Sequence, residues 1–246
     1  MLHDKHVNAL DSTSPQIIDI AITRDTACSD ACSLLAMMMQ LTTRELAWGI
    51  REGTVQEDIG AIAAEIGIDD SRLDKACSDL RAAASSLSDE DFFHEMRAEY
   101  TRLFSDPDQP AIWIYEALYL YEKTPEAQSG KRLLPRMFVN KAALDAERCY
   151  KKAGLERNPD VRIPADHLAT ELEFLAFAWK QRAIARIEGD EAGILSASSS
   201  LAEFDRLHVA KWFADFFASC EHEGRGVFVP IGIIGGILTT ALRTAV

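Results

Sequence analysis

The chain has 246 residues and is 48% hydrophobic, enough to bury a core as one large domain or two small ones, which excludes a disordered chain. Its 26 basic and 39 acidic side chains leave a formal charge of -13, which argues against a nucleic-acid or anionic-membrane surface and fits either plain solubility or a cationic partner. Five cysteines (Cys28, Cys32, Cys77, Cys149, Cys220) form no Cys-x-x-Cys pair and read as reduced, buried small hydrophobes of a cytoplasmic protein.

Met1 to His6 is polar and lacks an apolar signal core, so no export is predicted. Hairpin turns and period-two alternation are missing, whereas helical spacing recurs. Asp25 to Trp48 carries Ala31, Leu34, Leu35, Met38 and Leu41 on one broad face and reads as a single helix. In Met37-Met38-Met39 the methionines serve either core filling or an adaptable binding surface. Thr54-Val-Gln-Glu57 has the form of a capping box, ahead of Ile59, Ile62 and Ile66 and a stop at Gly67. Asp70 to Ser85 follows, then a helix opened by Ser88 and carrying Phe93, Met96, Tyr100 and Leu103.

Residues 105–135 break the regularity with Pro107, Pro110, Pro125, Gly130 and Pro135, around one short aromatic helix from Ile112 to Tyr121. Its Trp113, Tyr115, Tyr119 and Tyr121 either fill core or line an exposed peptide groove. Helices resume over Arg136 to Ala153 with Gly154 as C-cap, then Ala165 to Glu188, Ser200 to Cys220 and Ile231 to Arg243, with Ser196 to Ser200 as a loop. Val227 to Leu238 is apolar but interrupted by Pro230, Gly232, Gly235 and Gly236. It is too short to span a bilayer and predicts a buried core segment, with a tail anchor as the alternative. The fold class is all-α: one globular domain over residues 1–246 with about eight to ten helices, in halves of about 20–105 and 135–246 joined by the hinge-like stretch 105–135. Such a connection permits a monomer or a domain-swapped dimer.

The most informative stretch is residues 164–179, where Asp166 and His167 open a strongly patterned helix. Leu168, Leu172, Leu175 and Trp179 recur on one buried face. His167 and Glu171 fall one turn apart, where a carboxylate can orient an imidazole and raise its pKa. Asp166 either caps this helix or offers its charge to a partner. No phosphate loop, nucleophile elbow or His-Glu-x-x-His is present, and the other histidines, His208 among them, have no recognisable partner. The sequence therefore predicts no catalytic residue, no metal and no cofactor, leaving an acid/base centre at Asp166-His167-Glu171 as the enzymatic alternative.

Glu99-Tyr-Thr-Arg-Leu-Phe104 before a proline break, and later Pro164-Ala-Asp-His-Leu-Ala-Thr-Glu-Leu-Glu-Phe174, together resemble the TorD-like redox-enzyme maturation chaperones (the TorD/DmsD/NarJ group). Tyr115-Glu-Ala-Leu-Tyr-Leu120, Tyr150 to Leu155, and Phe204-Asp-Arg-Leu-His208 with Trp212 are similar to weaker features of that family, so the resemblance runs from about Phe92 onward. It implies an all-helical, non-enzymatic cytoplasmic chaperone. The implied partner is a molybdopterin-dependent oxidoreductase catalytic subunit, held through its twin-arginine leader or in its apo form before export or assembly. It places peptide binding on Tyr100, Leu103, Phe104, Pro110, Trp113, Tyr115, Glu116, Asp166, His167 and Glu171, with no nucleic acid and no stable membrane insertion. The alternative of another class is a helical adaptor without leader specificity.

Overall fold

The computed structural model describes residues 15–107, 109–128, 140–156 and 163–246, and among them it is all-helical, with one isolated β-bridge. Helices α1 (Pro15–Met38), α2 (Arg44–Glu52), α3 (Thr54–Ile66), α4 (Ser71–Ser85) and α5 (Asp89–Tyr100) come first. A π-helical turn, Thr101–Ser105, leads to the short helices α6 (Glu116–Glu122) and α7 (Pro125–Gln128). Then follow α8 (Lys141–Lys152), α9 (Leu168–Glu188), α10 (Glu191–Phe204), a second π turn (Asp205–Val209), α11 (Ala210–Glu223) and α12 (Phe228–Ala245).

Local chemistry sets most boundaries. Ser88 Oγ accepts the Asp91 N–H at the start of α5, Asp70 Oδ1 accepts the Arg72 N–H at α4, and Gly67 closes α3 in the left-handed region with φ +85°. Several expectations fail, among them the start of the aromatic helix at Ile112, since α6 begins only at Glu116. The predicted helix from Asp25 to Trp48 is two helices, because the Thr43 hydroxyl accepts the Leu46 N–H and starts α2 afresh. The capping box at Thr54 does not form: Gly53, at φ +93°, both ends α2 and precedes α3, and the Thr54 hydroxyl donates back to Gly49 O. Ser196 to Ser200 is helical within α10, because Ala197, Leu201 and Phe204 are buried on one face and that packing outweighs the serines' turn preference.

The stretches before and after the proline-rich connection share one core. Helix α1 lies along α9, and α12 packs on α11 and α4, so buried side chains from Ala27 to Leu242 form one cluster. Gly130 and Pro135 of the expected hinge, and the expected helix start at Arg136, lie outside the described residues. Pro230 sits in the first turn of α12, where a missing N–H costs nothing. A Cβ on Gly232 would lie 2.5 Å from the Glu221 nitrogen and one on Gly235 2.2 Å from the Phe217 ring, so these glycines let α12 close on α11. By length and composition α12 could cross a membrane, yet half of it is buried in this fold.

Candidate functional site

The site is built where the loop after the first π turn meets the start of α9. The Ala111 and Ile112 amides donate to Arg102 O and Leu103 O at 3.2 and 2.8 Å, pinning the loop to the π turn. At its other end, Glu116 N–H donates to Asp166 O at 2.9 Å and Leu168 N–H to Ile114 O at 3.1 Å, which makes the antiparallel bridge between Tyr115 and His167. Their rings meet edge to face at 5.2 Å and form a ridge.

His167, not Asp166, caps α9: its Nδ1 accepts the Ala169 N–H at 3.1 Å. Burial pushes its pKa down to about 4, so the ring is neutral at neutral pH. The expected pairing with Glu171, and the raised pKa it implied, give way to burial and to Glu171 pointing elsewhere. A depressed folded pKa contributes stability above the ordinary value of 6.5 that is lost as pH falls toward 4. His167→Asn, which caps a helix without titrating there, is expected to flatten that loss by on the order of 2–3 kcal/mol in melts taken between these pH values.

Asp166 is fully buried and caps a different helix. Its Oδ2 accepts the Ala117 N–H in the first turn of α6 at 3.2 Å and a close hydrogen bond from Asn140 Nδ2, while Asn140 Oδ1 caps α8. One carboxyl thus ties together the starts of α6, α8 and α9. Burial raises its pKa, with the two donors acting against that shift.

Behind the ridge is a buried polar cluster. His208 Nδ1–H donates to Glu116 Oε2 at 2.6 Å, and Trp212 Nε1–H donates to Glu171 Oε2 at 3.1 Å. Burial first, then the neighbouring Glu116 carboxyl, push Glu171 well above the usual carboxylate range. The second π turn brings His208 here, and Phe204 stacks on the imidazole at 4.5 Å. Among the described residues, Glu116, Glu171 and His208 have donor atoms close enough to hold a cation, all within 4.8 Å of one another, though the short hydrogen bond engages His208 Nδ1 with a carboxylate.

Two cavities flank the ridge. One, of about 680 Å³, lies between α6, α8 and the second π turn, with Glu116 and Asp166 in its floor and Leu118, Tyr121, Lys141 and Lys211 in its walls. Lys211 Nζ stands 3.8 Å from Glu116 Oε1 at this wall. The other, of about 910 Å³, lies between the end of α1, the end of α8 and the first turns of α9, with Tyr100 and His167 in its lining. Tyr115 lines both.

Of the predicted site residues, Tyr100, Tyr115, Glu116, Asp166 and His167 therefore line one cavity or the other. Leu103, Phe104 and Pro110 are buried; Phe104 stacks on Phe216 at 5.7 Å, so this part of the expected surface supports the ridge from beneath. Glu171 also lies beneath, and half-buried Trp113 donates to Glu122 Oε1 at 3.3 Å. Tyr119 is core, bonded through its hydroxyl to Ser219. Sequence reading missed His208 as a partnered group, together with Asn140 and Lys211. The available signals were the four-residue spacing of His208 and Trp212 and the family-like segment that contains them.

Neither a curated protein nor a solved structure matches the chain. Residues 69–218, which span α4 to α11 with the ridge and the buried cluster, match the family described as nitrate reductase delta subunit. The chain therefore belongs to that family, the NarJ/TorD-type chaperones of molybdoenzyme maturation.

Proposed function

We propose that this protein is a cytoplasmic chaperone that holds a molybdopterin-dependent oxidoreductase subunit through its twin-arginine leader, or in its apo form, until cofactor insertion and export or assembly. The observation that carries this reading is the pair of cavities meeting at the Tyr115–His167 ridge, in a family whose members serve molybdoenzymes. Together they offer an extended peptide two apolar and aromatic beds, each near 10³ Å³ in scale and so large enough for several side chains. Apolar burial there contributes about 25 cal/mol per Å². The charge of -13 draws a cationic leader through a salt-screened field. Tyr115 is the contact at the meeting of the two beds, Tyr100, Glu116, Asp166 and His167 close their floors, and Leu103, Phe104, Pro110, Trp113 and Glu171 hold them in shape.

Calorimetry with the client's leader over a salt series tests this. Affinity is expected to fall as salt rises, and to fall when both leader arginines are replaced by glutamine. A leader that binds equally with and without its arginines, at all salt concentrations, overturns leader recognition in favour of a general helical adaptor. Because Asp166 is enclosed, Asp166→Asn is expected to leave melting nearly unchanged, since asparagine accepts the same N–H bonds. Asp166→Ala frees the starts of α6 and α8 together and is expected to cost about 1–3 kcal/mol of stability and to weaken leader binding with it. Equal binding by Asp166→Ala and the wild type removes this residue from the site.

A further inference from the structure

Among the described residues, the linings of the two cavities differ in charge. In the cavity between α6 and α8 the exposed basic side chains are Lys141 and Lys211, the latter 3.8 Å from Glu116 Oε1; the other carboxyls there are engaged too, Asp145 by Arg148 at 2.9 Å and Asp166 by backbone and Asn140. The cavity between α1 and α9 has two exposed carboxylates in its lining, Glu156 and Glu173, and no Lys or Arg among its described residues. Glu173 accepts one neutral hydrogen bond, from Gln40 Nε2 at 2.9 Å. Around these carboxylates stand Tyr150, Phe174 and Phe177, with the exposed apolar edges Leu41 and Ile163 at the rim. Carboxylates set among aromatic faces make a bed for guanidinium groups, which pair with the one and stack on the other. Lysines on an apolar wall repel the same groups.

We propose that the α1/α9 cavity is the seat of the client's arginine-bearing segment, with the leader crossing the Tyr115–His167 ridge so that its apolar segment lies in the α6/α8 cavity. The direction of the bound peptide is then set by charge: cationic end toward Glu156 and Glu173, apolar stretch toward Leu118, Leu120 and Leu207. This rests on the leader-binding reading and adds to it an orientation that the two Lys-lined and Glu-lined cavities impose.

The full chain carrying Glu156→Lys and Glu173→Lys tests it, against a control carrying Glu57→Lys and Glu65→Lys on α3, which makes the same change in net charge away from both cavities. All four glutamates are exposed, so melting is expected to match the wild type. The cavity variant is expected to lose on the order of tenfold or more in affinity for the leader, the control much less, and both to bind an arginine-to-glutamine leader as the wild type does. A photo-crosslinker beside the leader's arginines is expected to mark Leu41, Thr170 or Phe177, and one in its apolar segment Leu118 or Leu207. If the wild type binds the leader but the cavity variant weakens no more than the control, or the arginine-end crosslinks map to the α6/α8 cavity, the orientation is overturned while leader binding stands. If the wild type binds no arginine leader, both fall.

Discussion

Asp25→Ala is expected to lower stability by about 3–5 kcal/mol, the cost of breaking a buried ion pair by removing one partner. Asp25 lies on α1 at 2% exposure and receives both Nε and Nη2 of Arg182 at 3.0 and 2.8 Å, and Nε of Arg186 at 2.7 Å. Arg182, at 5% exposure, also stacks on Trp179 at 4.2 Å and donates to Ala245 O at 3.3 Å and Ser198 Oγ at 3.4 Å. One carboxylate therefore holds the guanidinium that joins α1, α9, α10 and α12. Alanine would leave that guanidinium enclosed with only neutral acceptors, a penalty that water cannot relieve without opening the α1–α9 contact. Urea unfolding of the variant is expected to show a lower midpoint with an unchanged slope, since the surface exposed on unfolding stays the same. A loss under about 1 kcal/mol would show that Arg182 finds compensation elsewhere, within the range of an ordinary exposed pair.

This cluster also shows where reading the sequence stops. Arg182 and Arg186 are visibly one turn apart, but their partner is 157 residues from Arg182, and no spacing rule connects them. What local spacing governs was legible: the all-helical class, the Ser88 cap, the Gly67 stop, and the stripe Leu168, Leu172, Leu175 and Trp179, all buried as their periodicity requires. The Asp-His pair was recognised as special, yet its roles were exchanged. Asp166 looks like the cap of α9 when only its neighbours are known; it turns to α6 because the loop ending at Tyr115 is bridged to His167 and brings the Ala117 N–H within reach. Glu171 likewise looks like a partner for His167 at one-turn spacing. Its actual partner, Trp212, is supplied by α11. Serines 196 to 200 show the same limit for secondary structure, since burial of Leu201 and Phe204 decides a helix that serine propensity alone disfavours.

The buried cluster yields the second large effect, and a pH signature that separates its members. His208→Leu keeps the stacking volume against Phe204 but removes the donor to Glu116, leaving a carboxylate at 1% exposure with Lys211 Nζ 3.8 Å away as its remaining cationic neighbour. A loss of about 3–5 kcal/mol is expected. Glu171→Gln is a different perturbation: burial favours the protonated, neutral form of Glu171, and a glutamine oxygen still accepts from Trp212, so within about 1 kcal/mol of the wild type is expected at mildly acidic pH. Because the folded pKa of Glu171 is raised, its favourable contribution is complete below the ordinary value of 4.5 and is lost as pH climbs toward the folded value. The glutamine carries no such dependence. Glu171→Gln should therefore gain on the wild type as pH rises from 5 to 8, read as a widening gap between their urea midpoints. A gap that stays constant over this range would overturn the raised pKa of Glu171 in the folded protein.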